Sequence, residues 1–157
     1  MSDRKPDLLG TLDAADLRIV IVAARFNAEV VDVLVDGAVS TLTALGANPG
    51  DVTVVRVPGA FELPLVAQRA ARRGDVDGVI ALGAVVRGGT PHFDYVCLGA
   101  TTGLEAAARA TDTPIAFGLL TTDDCEQAMD RAGGSHGNKG SEAAEALVET
   151  ITVLRHL

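Results

Sequence analysis

The stretch Gly78-Val79-Ile80-Ala81-Leu82-Gly83-Ala84-Val85-Val86-Arg87-Gly88-Gly89-Thr90-Pro91-His92-Phe93-Asp94 decides how the rest of the chain is read. Its first nine residues form an unbroken apolar run, the pattern of a strand covered on both faces rather than on one. The run then breaks into a glycine pair followed by helix-compatible sequence. Within those few positions stand a cation (Arg87), two glycines, a hydroxyl (Thr90), an imidazole (His92) and a carboxylate (Asp94). The first amides of a helix have no internal partners and sit at its positive end, so a glycine pair ahead of a helix can cradle an anion. An anion cradle beside a histidine is the starting hypothesis for an active site.

Working outward, three further apolar runs repeat the strand-then-helix pattern. Arg18 to Ala24 is a strand, with Asn27 able to cap a helix whose core stripe is Val31, Leu34, Val35, Ala38, Leu42 and Leu45 before Gly46 stops it. Val30 and Val33 fall off that stripe and suggest a second apolar edge. Asp51 to Val57 is the second strand, followed by Pro58 to Pro64 turning into a helix that ends near Arg73. The helix after the central stretch, Tyr95 to Ala110, carries charge only at Glu105 and Arg109 and so reads as buried on more than one side. Pro114 to Leu120 is the fourth strand. Thr122 or Asp123 can cap a short helix to Ala132, Gly133 to Asn138 reads as a loop, and Lys139 to Leu157 is the last helix, with a stripe at Ala144, Leu147, Val148, Ile151 and Leu154.

Four buried strands alternating with helices predict a three-layer α/β domain of flavodoxin-like type, with a four-stranded parallel sheet flanked by helices. Residues 1–16 show no sustained periodicity and read as a flexible arm, leaving 17–157 as one domain. Ligands of such sheets bind outside the carboxyl ends of the strands.

Composition narrows the partners. A net charge of -8 and a pI near 4.7 argue against nucleic acid, which is held by clustered Lys and Arg. No apolar run approaches membrane-spanning length and the N-terminus has no signal core, so the expectation is a cytoplasmic protein without a membrane partner. Cys97 and Cys125 are far apart and no second His or Cys stands at ligand spacing, so neither a disulfide framework nor a metal site is expected.

Residues make up 48% hydrophobic but only 3% aromatic positions, so the aromatics are informative. All four phenylalanines, Phe26, Phe61, Phe93 and Phe117, read as lying at or just after a strand exit, where they can form a flat apolar wall or simply pack. Histidine exchanges protons near neutral pH, and of the three present only His92 has a catalytic context. Glu62 opens a helix, where the dipole favours a carboxylate with or without a ligand hydroxyl to bind. Arg131 ends a helix, a favoured place for a cation, whereas Lys139 begins one and asks for another explanation. Gly133 to Ser141 is not a P-loop, because Asn138 stands before Lys139 and the segment follows a helix rather than a strand.

Taken together, Ala24-Arg25-Phe26-Asn27, Val57-Pro58-Gly59-Ala60-Phe61-Glu62-Leu63-Pro64, Val86 to Val96, Glu126-Gln127-Ala128 and Asp130-Arg131-Ala132-Gly133 resemble the lumazine synthase family, in order and over nearly the whole chain from Arg18. The resemblance implies condensation of 5-amino-6-(D-ribitylamino)uracil with 3,4-dihydroxy-2-butanone 4-phosphate to 6,7-dimethyl-8-ribityllumazine, the penultimate step of riboflavin synthesis, without a cofactor. It implies that Phe26 stacks on the pyrimidine, that Ala60, Phe61, Glu62, Ala84, Val85 and Val86 hold its edges and ribityl chain, and that Gly89, Thr90 and Arg131 cradle the phosphate. By the same resemblance His92 is the proton donor and acceptor, Phe117 closes the ring pocket, and Lys139 contacts the ribityl chain or phosphate. Phe117, Arg131 and Lys139 would come from a neighbouring subunit of a homo-oligomer, a pentamer that can close into an icosahedral shell, with riboflavin synthase as a further partner. The compact turn from Gly134 to Gly140 is similar to the shell-forming version. Two other classes compete with this reading: a non-catalytic flavin- or lumazine-binding or shell-forming protein on the same fold, and a flavodoxin-like electron carrier. The carrier of electrons would need a hydroxyl-rich loop after the first strand, where Arg25-Phe26-Asn27 stands instead.

Overall fold

The computed structural model describes residues 3–157, so Met1 and Ser2 of the predicted arm lie outside the described residues. Four strands, β1 (Ile19–Ala24), β2 (Val52–Val57), β3 (Gly78–Val86) and β4 (Ile115–Thr122), form one sheet in the order β2-β1-β3-β4. Every pairing is parallel. Helices α1 (Ala28–Ala44), α2 (Leu63–Ala71), α3 (His92–Thr111), α4 (Cys125–Asp130) and α5 (Lys139–Leu154) connect and cover the strands.

Alternation along β1 builds the two faces. Ile19, Ile21 and Ala23 point into one apolar cluster with Leu34 and Leu42 of α1 and Leu147 and Ile151 of α5. Val20, Val22 and Ala24 join the other, with Leu63 and Ala67 of α2 and Ala100 and Leu104 of α3. Both faces of the central strands are therefore dry, which is why their sequences are continuous rather than alternating. The three-layer parallel architecture expected from the sequence is the one observed.

Several boundaries and faces differ from expectation. β2 is an edge strand with Thr53, Val54 and Arg56 exposed, so it is not buried as its apolar sequence suggests. α3 starts three residues earlier than Tyr95, because Pro91 adopts helical backbone and suits the entry to a first turn. In the single chain α3 is not buried on several sides: Phe93, Ala100, Leu104 and Ala107 face inward while Tyr95 and Leu98 are exposed. Val30 is buried in the core of its own chain, and Val33 packs against that core, so neither forms a free second edge on α1. α4 is capped by the Asp124 carboxylate, which accepts the Gln127 N–H at 2.8 Å, rather than by Thr122 or Asp123.

The expected loop from Gly133 to Asn138 contains a small antiparallel hairpin, β5 (Ala132–Gly134) and β6 (Gly137–Asn138), with Gly133 and Gly137 at positive φ. This conformation is one that glycine adopts without the Cβ penalty. The helix that follows ends at Leu154, which is exposed, while the rest of its predicted stripe is buried.

α1 and α5 are clasped at their closest approach. Asn138 caps α5, its Oδ1 accepting from Gly140 N at 2.8 Å and Ser141 N at 3.2 Å, while its Nδ2 donates to Val33 O at 3.1 Å. Ser141 Oγ donates to Gly37 O at 3.1 Å. Asn138→Ala removes a helix cap and a link between helices together, and is expected to lower unfolding free energy by about 1–2 kcal/mol. The midpoint of urea unfolding checks this.

Before β1, Thr11 N donates to Thr152 Oγ1 of α5 at 2.8 Å, and Ala14 and Leu17 are buried. Leu8, Leu9 and Leu12 are exposed.

Candidate active site

The carboxyl ends of β1 and β3, the turn after β2 and the start of α3 surround a cavity of about 560 Å³. Its walls begin at the β1 exit. Arg25 N donates to Val57 O at 2.8 Å and Phe26 N to Pro58 O at 3.0 Å, so the β1 exit is tied to the β2 exit. Asn27 then adopts left-handed backbone (φ 58°) and its Nδ2 donates to Ala84 O at 2.7 Å, tying it to β3 as well. Asn27 therefore does not cap α1 with its side chain; it ties the β1 exit to β3, while the Arg25 and Phe26 amides tie it to the β2 exit, with Phe26 between them. Phe26 is 74% exposed, its ring left largely uncovered by the described residues. Exposing an aromatic face that cannot pack in the core is costly in water and suits stacking on a flat ligand.

After β2 the chain makes a single 3-10 turn, Ala60–Glu62, before α2. Ala60 is buried, Phe61 is exposed, and the Glu62 carboxylate accepts the Gly59 N–H at 3.2 Å. Ala84, Val85 and Val86 form the floor, with His92, Tyr95 and Val96 on the side of α3. His92 is the first residue of α3 and is exposed. Its backbone N–H donates to Thr90 Oγ1 at 3.4 Å, a long contact, and α3 has no side-chain cap. Gly88 and Gly89 have open space where a Cβ would stand and are not at positive φ, so what they offer here is bare backbone rather than a special turn.

The other predicted site residues are grouped elsewhere. Phe117, Arg131 and Lys139 line a second cavity of about 400 Å³, together with His136 and Glu142. Phe117 is not at a strand exit: it is the third residue of β4, opposite Ala81 of β3, and is partly exposed. Phe93 is no ligand wall either, being buried under the guanidinium of Arg87, which lies 4.3 Å from the ring centroid. Arg131 Nη1 donates to Gln127 O at 3.0 Å, and its carbonyl accepts from Lys139 N at 2.8 Å, so α4 and α5 hold the two cations side by side in the fold. Lys139 Nζ lies 3.8 Å from Glu142 Oε2. Gly89 and Thr90 line neither cavity.

Residues that sequence reasoning left out of the site are Asn27, Gly59, Tyr95 and Val96 in the first cavity and, in the second, the β4 stretch from Leu119 to Thr122 together with His136 and Glu142. Tyr95 and Val96 followed His92 within the motif and could have been found by continuing it one helical turn. Asn27 reads as a helix cap and as part of the motif after the first strand, but not as a residue of the cavity wall. Among the described residues no group of three His, Cys, Asp or Glu side chains could hold a metal ion, and no helix is long and apolar enough to cross a membrane.

An open parallel sheet whose strand exits surround an apolar cavity, with one imidazole at its rim and two cations in a second cavity, is the architecture of an α/β domain with a ligand-sized pocket at its strand exits. The family model of 6,7-dimethyl-8-ribityllumazine synthase matches residues 16–155. Proteins of that name from Desulfovibrio desulfuricans and Lactiplantibacillus plantarum are similar to the chain at 53% identity over 150 residues and 54% over 146 residues. The first alignment covers 96% of both chains, the second 93% of this one and 92% of its relative. The chain belongs to the 6,7-dimethyl-8-ribityllumazine synthase family, and it is a transferase of riboflavin biosynthesis. Nothing in these likenesses favours a non-catalytic carrier.

Proposed function

We propose that the first cavity is where this enzyme condenses 5-amino-6-(D-ribitylamino)uracil with 3,4-dihydroxy-2-butanone 4-phosphate, releasing phosphate and water to give 6,7-dimethyl-8-ribityllumazine. The observation that carries this reading is the exposed ring of Phe26 over an apolar floor with His92 at the rim, in a chain 53% identical to a named synthase. Phe26 stacks on the pyrimidine. The segments Ala60 to Glu62 and Ala84 to Val86 hold its edges and the ribityl chain, with the Glu62 carboxylate available to accept from ribityl hydroxyls. His92 gives and takes the protons that imine formation and phosphate elimination require. Most of the acceleration comes from holding two reactants in register, an effect that reaches about 7 to 11 kcal/mol in favourable cases.

The phosphate is held by the bare amides at Gly89 and Thr90 together with Arg131, and Lys139 contacts the ribityl chain or the phosphate. Arg131, Lys139 and Phe117 line a different cavity of the same chain from His92. This separation supports sites completed between adjacent copies, each chain lending its second cavity to the first cavity of a neighbour. The exposed Tyr95 and Leu98 of α3, the open edge of β2 and the exposed leucines of the 1–16 arm offer the surface for such a homo-oligomer. We read the oligomer as a pentamer able to close into a cytoplasmic icosahedral shell, with riboflavin synthase as its partner. The tight β5-β6 turn is the feature on this chain that favours a shell.

The purified protein is mixed with both substrates and the lumazine absorbance is followed against an enzyme-free control, since the condensation can proceed slowly unaided. Acceleration over that control is expected. Arg131→Ala should raise KM for the butanone phosphate by about 10- to 100-fold, the worth of one charge-assisted contact, with KM for the pyrimidine little changed. Equal weakening of both substrates would argue against a phosphate role for Arg131.

A further inference from the structure

Arg87 is the first residue beyond β3, and its backbone N–H extends the ladder by donating to Thr122 O at 2.9 Å. Its guanidinium is already committed within the chain. Nε donates to Asp123 Oδ1 at 2.9 Å, Nη1 reaches Asp94 Oδ1 at 3.5 Å, and the planar group lies over the Phe93 ring at 4.3 Å. The hydrogen bond that Arg87 donates to Asp123, with further help from the Asp123 and Asp94 charges, holds Arg87 above the ordinary arginine value. A cation bound in this way is a poor candidate for substrate phosphate.

Two of the three contacts fall on Phe93 and Asp94, the residues directly after His92. The third ties them to the segment after β4. The first turn of α3 lacks a side-chain cap, and its one local side-chain contact, Thr90 Oγ1 to His92 N, is long at 3.4 Å. Arg87 thus supplies the fastening that the helix start itself lacks. Arg87 is half exposed, so its ion pairs contribute little to global stability. Their geometric effect is larger, because a fork with planar donors fixes direction as well as distance.

We propose that Arg87 is a positioning residue for His92, locking the first turn of α3 against the β4 exit so that the imidazole is presented to the cavity in one orientation. The proposal rests on the reading of His92 as the proton-transfer group. A small misplacement of a reacting group is enough to cost up to about 100-fold in rate, whereas substrate affinity is set by other residues.

The test compares wild type, R87M, R87K, H92A and the R87M/H92A double variant in the lumazine assay, each checked for assembly and thermal midpoint. Methionine keeps the packing over Phe93 and removes the fork. R87M is expected to lower kcat by about tenfold with both KM values within about twofold, and R87K to recover part of it, since lysine restores one charged contact but not two. In the H92A background R87M should cost nothing further, because the group it positions is gone. An additive loss in the double variant, or a raised KM for the butanone phosphate with kcat intact, would overturn the proposal while leaving His92 in its role. Wild-type turnover in H92A would overturn both readings.

Discussion

Replacing His92 by alanine is expected to slow turnover by about 10- to 1,000-fold while leaving the assembly and the fold intact. The size follows from what one acid/base group contributes when the rest of the site still holds both reactants in register. The fold is spared because the side chain is exposed and makes no hydrogen bond among the described residues; a surface truncation of this kind moves stability by about 0.5 kcal/mol or less. Phe26, the floor from Ala84 to Val86 and the second cavity are untouched, so both KM values should stay near those of the wild type. Steady-state kcat from lumazine absorbance, with elution volume as the control for assembly, checks the expectation. Unchanged turnover would remove His92 from proton transfer and leave proximity as the whole of the catalysis.

What could be read in the sequence was what single elements carry. β3 coincides with its apolar run from Gly78 to Val86, because a strand dry on both faces must be apolar at every position. The cluster from Phe26 to His92 was visible because parallel topology delivers all strand exits to one edge of the sheet, so residues distant in sequence converge there without any knowledge of packing. The errors arise where a residue's role depends on a distant partner. Asn27 has the chemistry of a helix cap, but Ala84 O on β3 takes its amide instead. Val30 lies off the helical stripe, yet the core reaches it. Phe117 reads as a strand-exit residue but lies in the body of β4, which continues past it to Thr122. The hairpin after α4 was hidden by its glycines, which signal a turn but not the two short strands around it.

The same distinction explains the two cavities. Arg131 and Lys139 are separated by the hairpin, and its β5-β6 pairing together with the Lys139 N to Arg131 O hydrogen bond brings them together beside Phe117. No periodicity encodes that bond. Within one chain His92 and the two cations therefore line different cavities, which makes the single chain an incomplete catalyst under the proposed reading. Arg87, the cation that shares the strand-exit stretch with His92, is spent on holding the helix start.

Gly140→Ala is expected to destabilise the protein by about 3 kcal/mol or more, and Gly140→Val to leave little folded chain. Two effects oppose each other at this position. Alanine is favoured over glycine inside a helix by about 1 kcal/mol, which alone would predict a more stable protein. A Cβ on Gly140, however, would collide with the carbonyl oxygen of Leu34, with the Leu34 carbonyl carbon 2.7 Å away and Asn138 Oδ1 at 3.0 Å. The obstacle is helix backbone rather than the end of a flexible side chain. Relief requires α1 and α5 to separate, which strains the bonds from Asn138 to Val33 and from Ser141 to Gly37 and opens the core around Leu34 and Leu147. Overpacking of this kind typically costs about 1–3 kcal/mol, and more where backbone cannot move, against a total stability of about 5–15 kcal/mol. The clash therefore outweighs the gain in propensity. Gly74, where a Cβ would meet nothing within 4 Å, is the control, and Gly74→Ala should unfold within about 0.5 kcal/mol of wild type. Urea midpoints of the alanine variants and the folded yield of Gly140→Val decide the matter. A wild-type midpoint for Gly140→Ala would mean that α1 and α5 can separate freely, and that their spacing does not fix where Lys139 stands.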